Sequence, residues 1–283
     1  MESTDIEELR RQIDEVDDQM HDLLMRRVTL VEQIGRLKAE QSGQNPVFAM
    51  RSKREIEIMR RLWDRHRGSM DKYVMIRIWR EIISACVNLQ APVTVAVFMP
   101  ERDMGNLEIA KDYFGTYTPM LPCRSVNLVL KELTQGEANV AILSLNDDKQ
   151  TCWWYSVAQE YKRSVSIFLK LPLTGPRSHG EGRFVFALSK QPFEESGKDK
   201  TLMVAETDGS LSLSTLDLIL KAGGIPTNAI CDTYMPDMMR KAYLFEIEGY
   251  LSEKDKRLTS VLEKENGKIT MLRVIGGYPV TFF

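Results

Sequence analysis

The stretch DLLMRRVTLVEQIGRLK, residues 22–38, has the spacing of a helix and places a fixed charge in the apolar face of that helix. The residues three, four and seven positions from Arg27 are apolar and share one helix face: Leu23, Leu24, Val31 and Ile34. Lys38 follows Arg27 by eleven residues, about three turns, so both cations point to the same side. Because an unpaired buried charge is costly, the stretch predicts either an internal ion pair or an anionic ligand.

The composition is that of a globular protein. The chain has 283 residues, of which 43% are hydrophobic and 28% charged, and its formal net charge is -2. This length suggests two domains or slightly more. A net charge so close to zero argues against a general binder of nucleic acid or of an acidic membrane.

The terminal segment and the cysteines indicate a compartment. The start, MESTDIEELRRQ, is too polar for a signal peptide, and no run approaches the roughly 20 apolar residues of a membrane span. Four cysteines are widely spaced, without a CxxC pair: Cys86, Cys123, Cys152 and Cys231. They predict a reduced, cytoplasmic protein. The three histidines are not paired at metal-ligand spacing, so no metal site is predicted.

Residues 1–91 are predicted to be entirely helical. The first helix spans about residues 5–41, which contain no proline and one glycine, and it would be about 55 Å long. Shorter helices follow at about 52–66 and 72–89. One long and two short helices cannot enclose a compact monomeric core, so we expect an intertwined dimer. A coiled coil is the alternative, which unpaired cations in its seam would disfavour.

After Pro92 the pattern becomes that of an α/β fold. Short β-rich runs alternate with helical stretches, at 93–99, 139–145, 165–171 and 183–189. A polar segment then leads into the order β-α-β-β-α-β, which is typical of ferredoxin-like domains. The predicted fold class is therefore multidomain, α plus α/β, with domains at 1–91, 92–198 and 199–283.

The charges of the helical part predict a small pocket for a dianion. Its candidate lining is Arg27, Lys38, Arg54, Glu55 and Gln90. Arg10 lies about 100° from the Arg27 face, so in a dimer it could serve the pocket of the partner chain. Two arginines can bind two carboxylates. The helical part shows no nucleophile–base pair, metal cluster or glycine-rich phosphate loop, so its chemistry would need only orientation and electrostatics.

Three segments of the helical part carry a family pattern: LRRQIDEVDDQMHDLLMRRVTLVEQIGRLK, NPVFAMRSKREIEIMRRL and IWREIISACVNLQ. Together they resemble the all-helical chorismate mutase family over essentially all of residues 5–91. The joint occurrence of LRxxIDxxD, LLxxR, GxxK, RE and a terminal Gln makes the resemblance specific. It implies an intertwined homodimer that converts chorismate to prephenate by an intramolecular Claisen rearrangement, without a cofactor.

The resemblance implies roles for the charged side chains at the reacting atoms. Arg27, and Arg10 of the partner subunit, would bind the carboxylates of the substrate. Lys38 and Gln90 would donate hydrogen bonds to the ether oxygen, where negative charge grows as the C–O bond breaks. One donor of this kind can contribute a factor of about 10²–10³ in rate.

The resemblance also implies roles at the edge of the pocket. Arg54 would add positive field, Glu55 would accept from the substrate hydroxyl, and Cys86 would form part of the wall. The family often has an aspartate after the Pro-Val of the first loop. Here Ala49 occupies that place, and the loop is about two residues longer.

The second half resembles prephenate dehydratase with its regulatory ACT domain. The segments that carry this resemblance are SVNLVLKELTQGEANVAILSL, HGEGRFVFALSKQ, SGKDKTLM, AYLFEIEGYL and VIGGYP. Most of a second lobe is missing, and the Thr-Arg-Phe motif of the family reads Gly182-Arg183-Phe184. The resemblance implies an aromatic amino acid as effector, although the effector motif reads CDTY at 231–234.

The predicted function is therefore that of a chorismate mutase in aromatic amino acid biosynthesis, followed by a non-catalytic dehydratase-derived region. One alternative is a bifunctional chorismate mutase–prephenate dehydratase. Another is a non-catalytic dimeric regulator that senses an amino acid. The first alternative predicts phenylpyruvate as product, and the second predicts that Lys38→Ala changes nothing.

Overall fold

The computed structural model describes residues 5–42, 50–100, 103–145, 152–159, 164–173, 183–235 and 239–280. Ala49, Gly182 and the residues after Leu145 up to Thr151 lie outside this set. The described chain forms two compact units, one from Met1–Met50 with Ala85–Pro92 and the other from Arg51–Ser84 with Val93–Phe283.

Three helices open the chain, as the sequence predicted. They are α1 (Ile6–Ser42), α2 (Ser52–Arg65) and α3 (Lys72–Gln90). Along α1 a row of apolar side chains is 46% to 65% exposed in the single chain: Ile6, Leu9, Ile13, Val16, Met20, Leu23, Leu30, Ile34 and Leu37. A face this apolar and this uncovered is unusual for a folded monomer.

A mixed α/β region follows, which confirms the predicted fold class. Its first elements are β1 (Val95–Phe98), α4 (Gly105–Phe114), β2 (Met120–Cys123), α5 (Val126–Gln135), β3 (Val140–Leu143), α6 (Trp153–Gln159), β4 (Ser166–Leu171) and β5 (Val185–Ser189). Strand β1 pairs in parallel with β2 and β3, and β5 pairs antiparallel with β3 and β4. Every residue of β1 and β3 is buried, as expected for parallel strands covered on both faces.

The last elements have the ferredoxin-like order that the sequence predicted. They are β6 (Asp199–Thr207), α7 (Leu213–Ala222), β7 (Thr227–Tyr234), β8 (Lys241–Glu248), α8 (Lys256–Lys264) and β9 (Ile269–Pro279). The strands lie in the order β9-β6-β8-β7, and all three pairs are antiparallel. Ser212 and Asp255 cap the N-termini of α7 and α8 with their side-chain oxygens.

The two sets of strands join into one nine-stranded sheet, in the order β2-β1-β3-β5-β4-β9-β6-β8-β7. The junction is a parallel pairing of β4 with β9, in which Ile167 lies opposite Gly276. Gly276 has φ +122°, and a Cβ there would collide with the main chain of Ile167. Glycine is therefore required for the two strands to approach. One apolar core continues across the junction, from Trp154 and Phe186 to Leu202 and Leu244.

Candidate active site

Arg27 and Lys38 both reach the end of α3 from α1. The Arg27 guanidinium donates from Nη1 to Cys86 Sγ at 2.6 Å. The Lys38 ammonium donates to Gln90 Oε1 at 3.0 Å. Cys86 and Gln90 are four residues apart, so they share one face of α3. Both cations are half-buried, while most of α1 is exposed. The structure therefore brings together four of the predicted site residues.

Gly35 is the residue of α1 that permits this approach. A Cβ at position 35 would lie 3.3 Å from Gln90 Cγ, closer than ordinary van der Waals contact. Gly35 also lies one turn before Lys38, the partner of Gln90. Glycine weakens a helix, and Gly35 is the only glycine in α1. Its lack of a side chain lets the end of α3 pack against α1.

The hydrogen bond from Lys38 orients the Gln90 amide. Because Oε1 accepts from an ammonium group, the Nε2 amide group of Gln90 is left as the donor end. An amide nitrogen donates regardless of pH in the physiological range. Gln90 is thus held in the orientation that a hydrogen-bond donor to a ligand oxygen requires.

Arg10 and Arg54 are exposed in the single chain. Arg10 pairs with Glu7 one turn earlier on α1, at 2.6 Å, and its side chain is 68% exposed. Arg54 pairs with Glu57 on α2 at 3.4 Å and is 67% exposed. Exposed pairs of this kind hold a side chain weakly, so both arginines can reorient towards a ligand or a partner chain at little cost.

Glu55 is buried in the second unit, where three residues from different elements meet. Its Oε2 accepts from Arg80 Nη1 at 2.7 Å and from the Tyr113 hydroxyl at 3.1 Å. Its other oxygen, Oε1, is buried and has no hydrogen-bond partner among the described residues. Burial raises the pKa of Tyr113 well above its usual value, so the phenol stays protonated and donates to the carboxylate.

The sequence interpretation missed Arg80 and Tyr113. The signal for Arg80 was present, since it is another cation on an apolar helix face. Ile76, Ile83 and Val87 lie four, three and seven residues from it. Tyr113 had no comparable local signal, because its contact with Glu55 joins residues 58 positions apart.

In the dehydratase-like region, the arginine of the Gly-Arg-Phe motif forms an ion pair with a carboxylate. Arg183 donates from both terminal nitrogens to Asp103, at 2.6 and 2.5 Å. The pKa of Asp103 falls to about 2, chiefly because of its hydrogen bond with Arg183 and then because of the Gly105 amide. The side chains of Cys231 and Asp232 in the CDTY segment lie outside the described part of the chain.

Neither a metal cluster nor a membrane helix is found in the described ranges. Among those residues, no three His, Cys, Asp or Glu side chains are grouped so that they could hold an ion. Within the same ranges, every helix is too short or too polar to cross a bilayer.

Among known proteins, the helical part of the chain matches a described family. Residues 9–91 match the family model described as chorismate mutase type II. A bifunctional chorismate mutase/prephenate dehydratase of Aquifex aeolicus (strain VF5) is 28% identical over 174 residues, which are 60% of this chain and 47% of the relative. A second such protein, from Pseudomonas aeruginosa, is 26% identical over 144 residues, 50% of this chain and 39% of the relative. The chain thus spans less than half the length of these curated relatives.

Among solved structures, the prephenate dehydratase of Streptococcus mutans matches 67% of this chain and 98% of its own, at 14% identity and a TM-score of 0.47. The sequence matches define the class: residues 9–91 are a chorismate mutase type II domain. Over 50% to 60% of its length the chain is homologous to bifunctional chorismate mutase/prephenate dehydratases, in agreement with the sequence interpretation.

Proposed function

We propose that the protein is a chorismate mutase, which rearranges chorismate to prephenate in aromatic amino acid biosynthesis in the cytoplasm. The observation that carries the proposal is the arrangement of Arg27, Lys38, Cys86 and Gln90 at the end of α3. It supplies a guanidinium for a carboxylate and an ammonium–amide pair for an ether oxygen. We divide the chain for this purpose into a mutase domain (1–91), a truncated dehydratase-like domain (92–198) and an ACT-like domain (199–283).

The role of Arg27 follows from its neighbours. Its hydrogen-bond partner is the sulfur of Cys86, and no carboxylate of the described residues lies within ion-pairing distance of its guanidinium. A half-buried cation of this kind favours an anionic ligand, which supplies the missing charge. A carboxylate of chorismate can accept two parallel hydrogen bonds from the guanidinium.

Lys38 and Gln90 act on the oxygen that gains charge. In the rearrangement a C–O bond breaks while a C–C bond forms within the same molecule, so no nucleophile or proton transfer is needed. Donors that are already oriented towards the ether oxygen stabilise the transition state more than the substrate. Because the amide of Gln90 is uncharged, we expect the catalytic rate to persist into alkaline pH. A sharp loss of rate near neutral pH would contradict the role of Gln90 as a hydrogen-bond donor.

Arg10, Arg54 and Glu55 complete the proposed site by the resemblance alone. Arg10 of the partner subunit would bind a carboxylate, Arg54 would add positive field, and Glu55 would accept from the substrate hydroxyl. The exposed positions of Arg10 and Arg54 are compatible with movement towards a ligand. The orphan oxygen of Glu55 is compatible with acceptance of a further hydrogen bond.

A product assay tests the proposal. Purified protein is incubated with chorismate, and the products are separated without acid treatment. Prephenate alone is the expected result. Phenylpyruvate would indicate the bifunctional alternative and show that Gly182 does not prevent dehydration. Conversion at the uncatalysed rate would favour the non-catalytic regulator instead.

The homodimer is supported by the exposed apolar row of α1. Its members follow one another at alternating intervals of three and four residues, which is typical of helices that pair along their length. Arg27 occupies the place between Leu23 and Leu30 in this row. A second copy is the natural cover for a face that extends along 37 residues.

Mixing two inactive variants tests the contribution of Arg10 across the dimer. Arg10→Ala and Lys38→Ala chains are combined under conditions that allow exchange. If Arg10 serves the partner's site, each mixed dimer contains one intact site, and about a quarter of the wild-type activity returns. A mixture that stays inactive, although mass measurements show mixed dimers, would show that Arg10 acts in the site of its own chain and not in that of the partner.

An aromatic amino acid is the effector that we propose for the ACT-like domain. The ferredoxin-like arrangement of β6–β9 with α7 and α8 supports this assignment. Calorimetric titration of the full chain with Phe, Tyr and Trp, together with the mutase rate at each saturation, tests it. Absence of heat and of inhibition with all three would leave the domain a structural role.

A further inference from the structure

One polar face of α3 contacts the C-terminal end of α4. The face consists of Arg77, Arg80, Glu81 and Ser84, which lie three, four and seven residues apart along the helix. Their partners in the α/β region lie within residues 112–118, at the end of α4 and in the turn that follows it. Paired polar groups of this kind fix the register of two packed elements.

Arg80 is the centre of this contact. Its Nε and Nη2 donate to the Tyr113 carbonyl oxygen, at 2.9 and 2.6 Å, and its guanidinium lies 3.6 Å from the centre of the Tyr113 ring. The last carbonyls of a helix have no partner within the helix and carry partial negative charge. Arg80 therefore satisfies an acceptor of α4 that α4 cannot satisfy itself, and it is buried in this position.

The neighbours of Arg80 on α3 also bind main-chain groups of the same turn. Glu81 accepts from the Thr116 N–H at 3.2 Å, and Ser84 donates to the Phe114 carbonyl oxygen. These main-chain groups follow from the path of the chain at the end of α4. The contact thus requires the folded backbone of the α/β region.

Gly115 permits the close approach of the two helices. It has φ +86°, and a Cβ there would lie 2.5 Å from Ser84 Oγ and 2.9 Å from Ser84 Cβ. Atoms of side chains do not approach so closely, so either the turn or α3 would have to move. Glycine at this position is therefore part of the contact between α3 and α4.

Helix α2 is held by a different part of the α/β region. Arg60 donates to the main-chain carbonyls of Ser196, Lys198 and Val280, at 3.3, 3.2 and 2.7 Å. These carbonyls lie where β6 begins and β9 ends. The position of α2 therefore depends on residues more than a hundred positions later in the chain.

We propose that the α/β region is the folding scaffold of α2 and of α3 up to Ser84, so that these helices fold and unfold with the nine-stranded sheet as one cooperative unit. The boundary of this unit then lies inside the segment 9–91 that matches the family model. The dehydratase-derived region thereby has a role that requires no catalysis. The inference concerns folding and does not depend on the activity of the chain.

Native-state hydrogen exchange of the full chain in rising urea tests the proposal. The slowest amides of α2, of α3 before Ala85 and of β1 should converge on one opening free energy and one urea dependence. Ile167→Val then weakens the sheet from a core that its strands form with α5 and α6, where Ile167 is fully buried. Loss of one buried methylene should accelerate exchange roughly threefold to tenfold in β1. The same factor is expected in α2 and α3, and wild-type exchange in these two helices would overturn the proposal.

Gly115→Ala tests the contact with α4, and Gly136→Ala is its matched control. Gly136 follows the last residue of α5 with φ +93°, and a Cβ there would make only ordinary contact with the Lys190 side chain. Both substitutions strain a residue with positive φ, but only Gly115→Ala displaces α3. Exchange in α3 relative to β1 should rise about tenfold or more in Gly115→Ala and stay within twofold in Gly136→Ala. An unchanged ratio in Gly115→Ala would show that the end of α4 does not hold α3, and the proposal would be wrong.

A milder variant covers the case in which Gly115→Ala does not fold. Ser84→Ala removes the donor to the Phe114 carbonyl oxygen and leaves the turn itself intact. Loss of one hydrogen bond should raise exchange in α3 relative to β1 roughly fivefold. If this ratio stays at its wild-type value, the contact does not stabilise α3 and the proposal fails.

Discussion

Two arginines on apolar helix faces have opposite surroundings. Arg80 is sealed between Glu55, the ring of Tyr113 and the end of α4, and it is 4% exposed. Arg27 is half-buried and donates to a thiol. The same sequence signature, a cation among apolar neighbours, thus marks both a completed ion pair and an incomplete one. A structural charge and a binding charge are therefore distinguished by the partner of the side chain and not by the sequence pattern around it.

The largest expected effect is on catalysis and concerns Arg27 and Lys38. Arg27→Ala and Lys38→Ala should each lower kcat/KM for chorismate by about 10²–10³, because each removes charge stabilisation in the site. Arg26→Ala, at the exposed neighbouring position, is the control and should keep wild-type kinetics. Steady-state kinetics of the three variants are the measurement. If Lys38→Ala keeps wild-type activity, Lys38 does not take part in the reaction and the active site lies elsewhere in the molecule.

The completed pair should instead respond in stability. Arg80→Met keeps most of the side-chain volume but leaves the buried side chain of Glu55 without its ion-pair partner, which predicts a loss of about 3–5 kcal/mol in the free energy of unfolding. Arg77→Met removes the exposed arginine of the same helix, which pairs with Asp112, and should cost at most about 1 kcal/mol. Urea unfolding measures both. Equal losses would mean that burial does not distinguish the two ion pairs.

Arg183 provides an intermediate case, because its partner is partly exposed. The pKa of Asp103 is lowered from 3.8 to about 2, so the pair stabilises the fold above about pH 4. This contribution is lost as the pH falls through 2. With 39% of the Asp103 side chain exposed, solvent screening leaves about 1 kcal/mol.

Asp103→Asn, which can still accept from the Gly105 amide, isolates this term. Its free energy of unfolding should lie below that of wild type at pH 6, and the two should converge between about pH 4 and pH 2. A difference that stays constant over this range would show that the carboxylate charge has no part in it.

The smallest expected effect concerns the packing of Gly35 against Gln90. Gly35→Ala places a methyl group 3.3 Å from Gln90 Cγ, so Gln90 must shift by a few tenths of an ångström. We expect kcat to fall several-fold while the helix gains up to about 1 kcal/mol. Kinetics and thermal unfolding of one variant measure both. An unchanged kcat would show that the position of Gln90 is not critical.

Local patterns predicted the elements of this fold well. The bounds of α1, α2 and α3 agree with the predicted helices within a residue, because each rests on its own apolar periodicity. Strand β2 and helix α6 were not predicted. The former is four residues long and contains Pro122, and the latter has seven residues with two adjacent tryptophans. Elements this short have too few positions for a period to be visible.

Contacts between residues far apart in the sequence could not be predicted from local patterns. The sequence indicated that Arg27 and Lys38 need partners and placed Gln90 in the same pocket, and the resemblance added Cys86 to its wall. It did not indicate that Arg80 would meet Glu55, since both lie on ordinary amphipathic helices. The junction of β4 with β9 depends on a single glycine more than a hundred residues from its partner. Such contacts depend on the packing of the whole chain, which no window of sequence contains.

The junction of β4 with β9 has a consequence for solubility. Two separate sheets would present four outer strands, each a template on which another chain could add and begin to aggregate. As one sheet, the described strands present two, β2 and β7. Any side chain at Gly276 would part the strands and uncover two further edges. The absence of one methyl group at Gly276 thus keeps the edges of β4 and β9 from pairing with the strands of another chain.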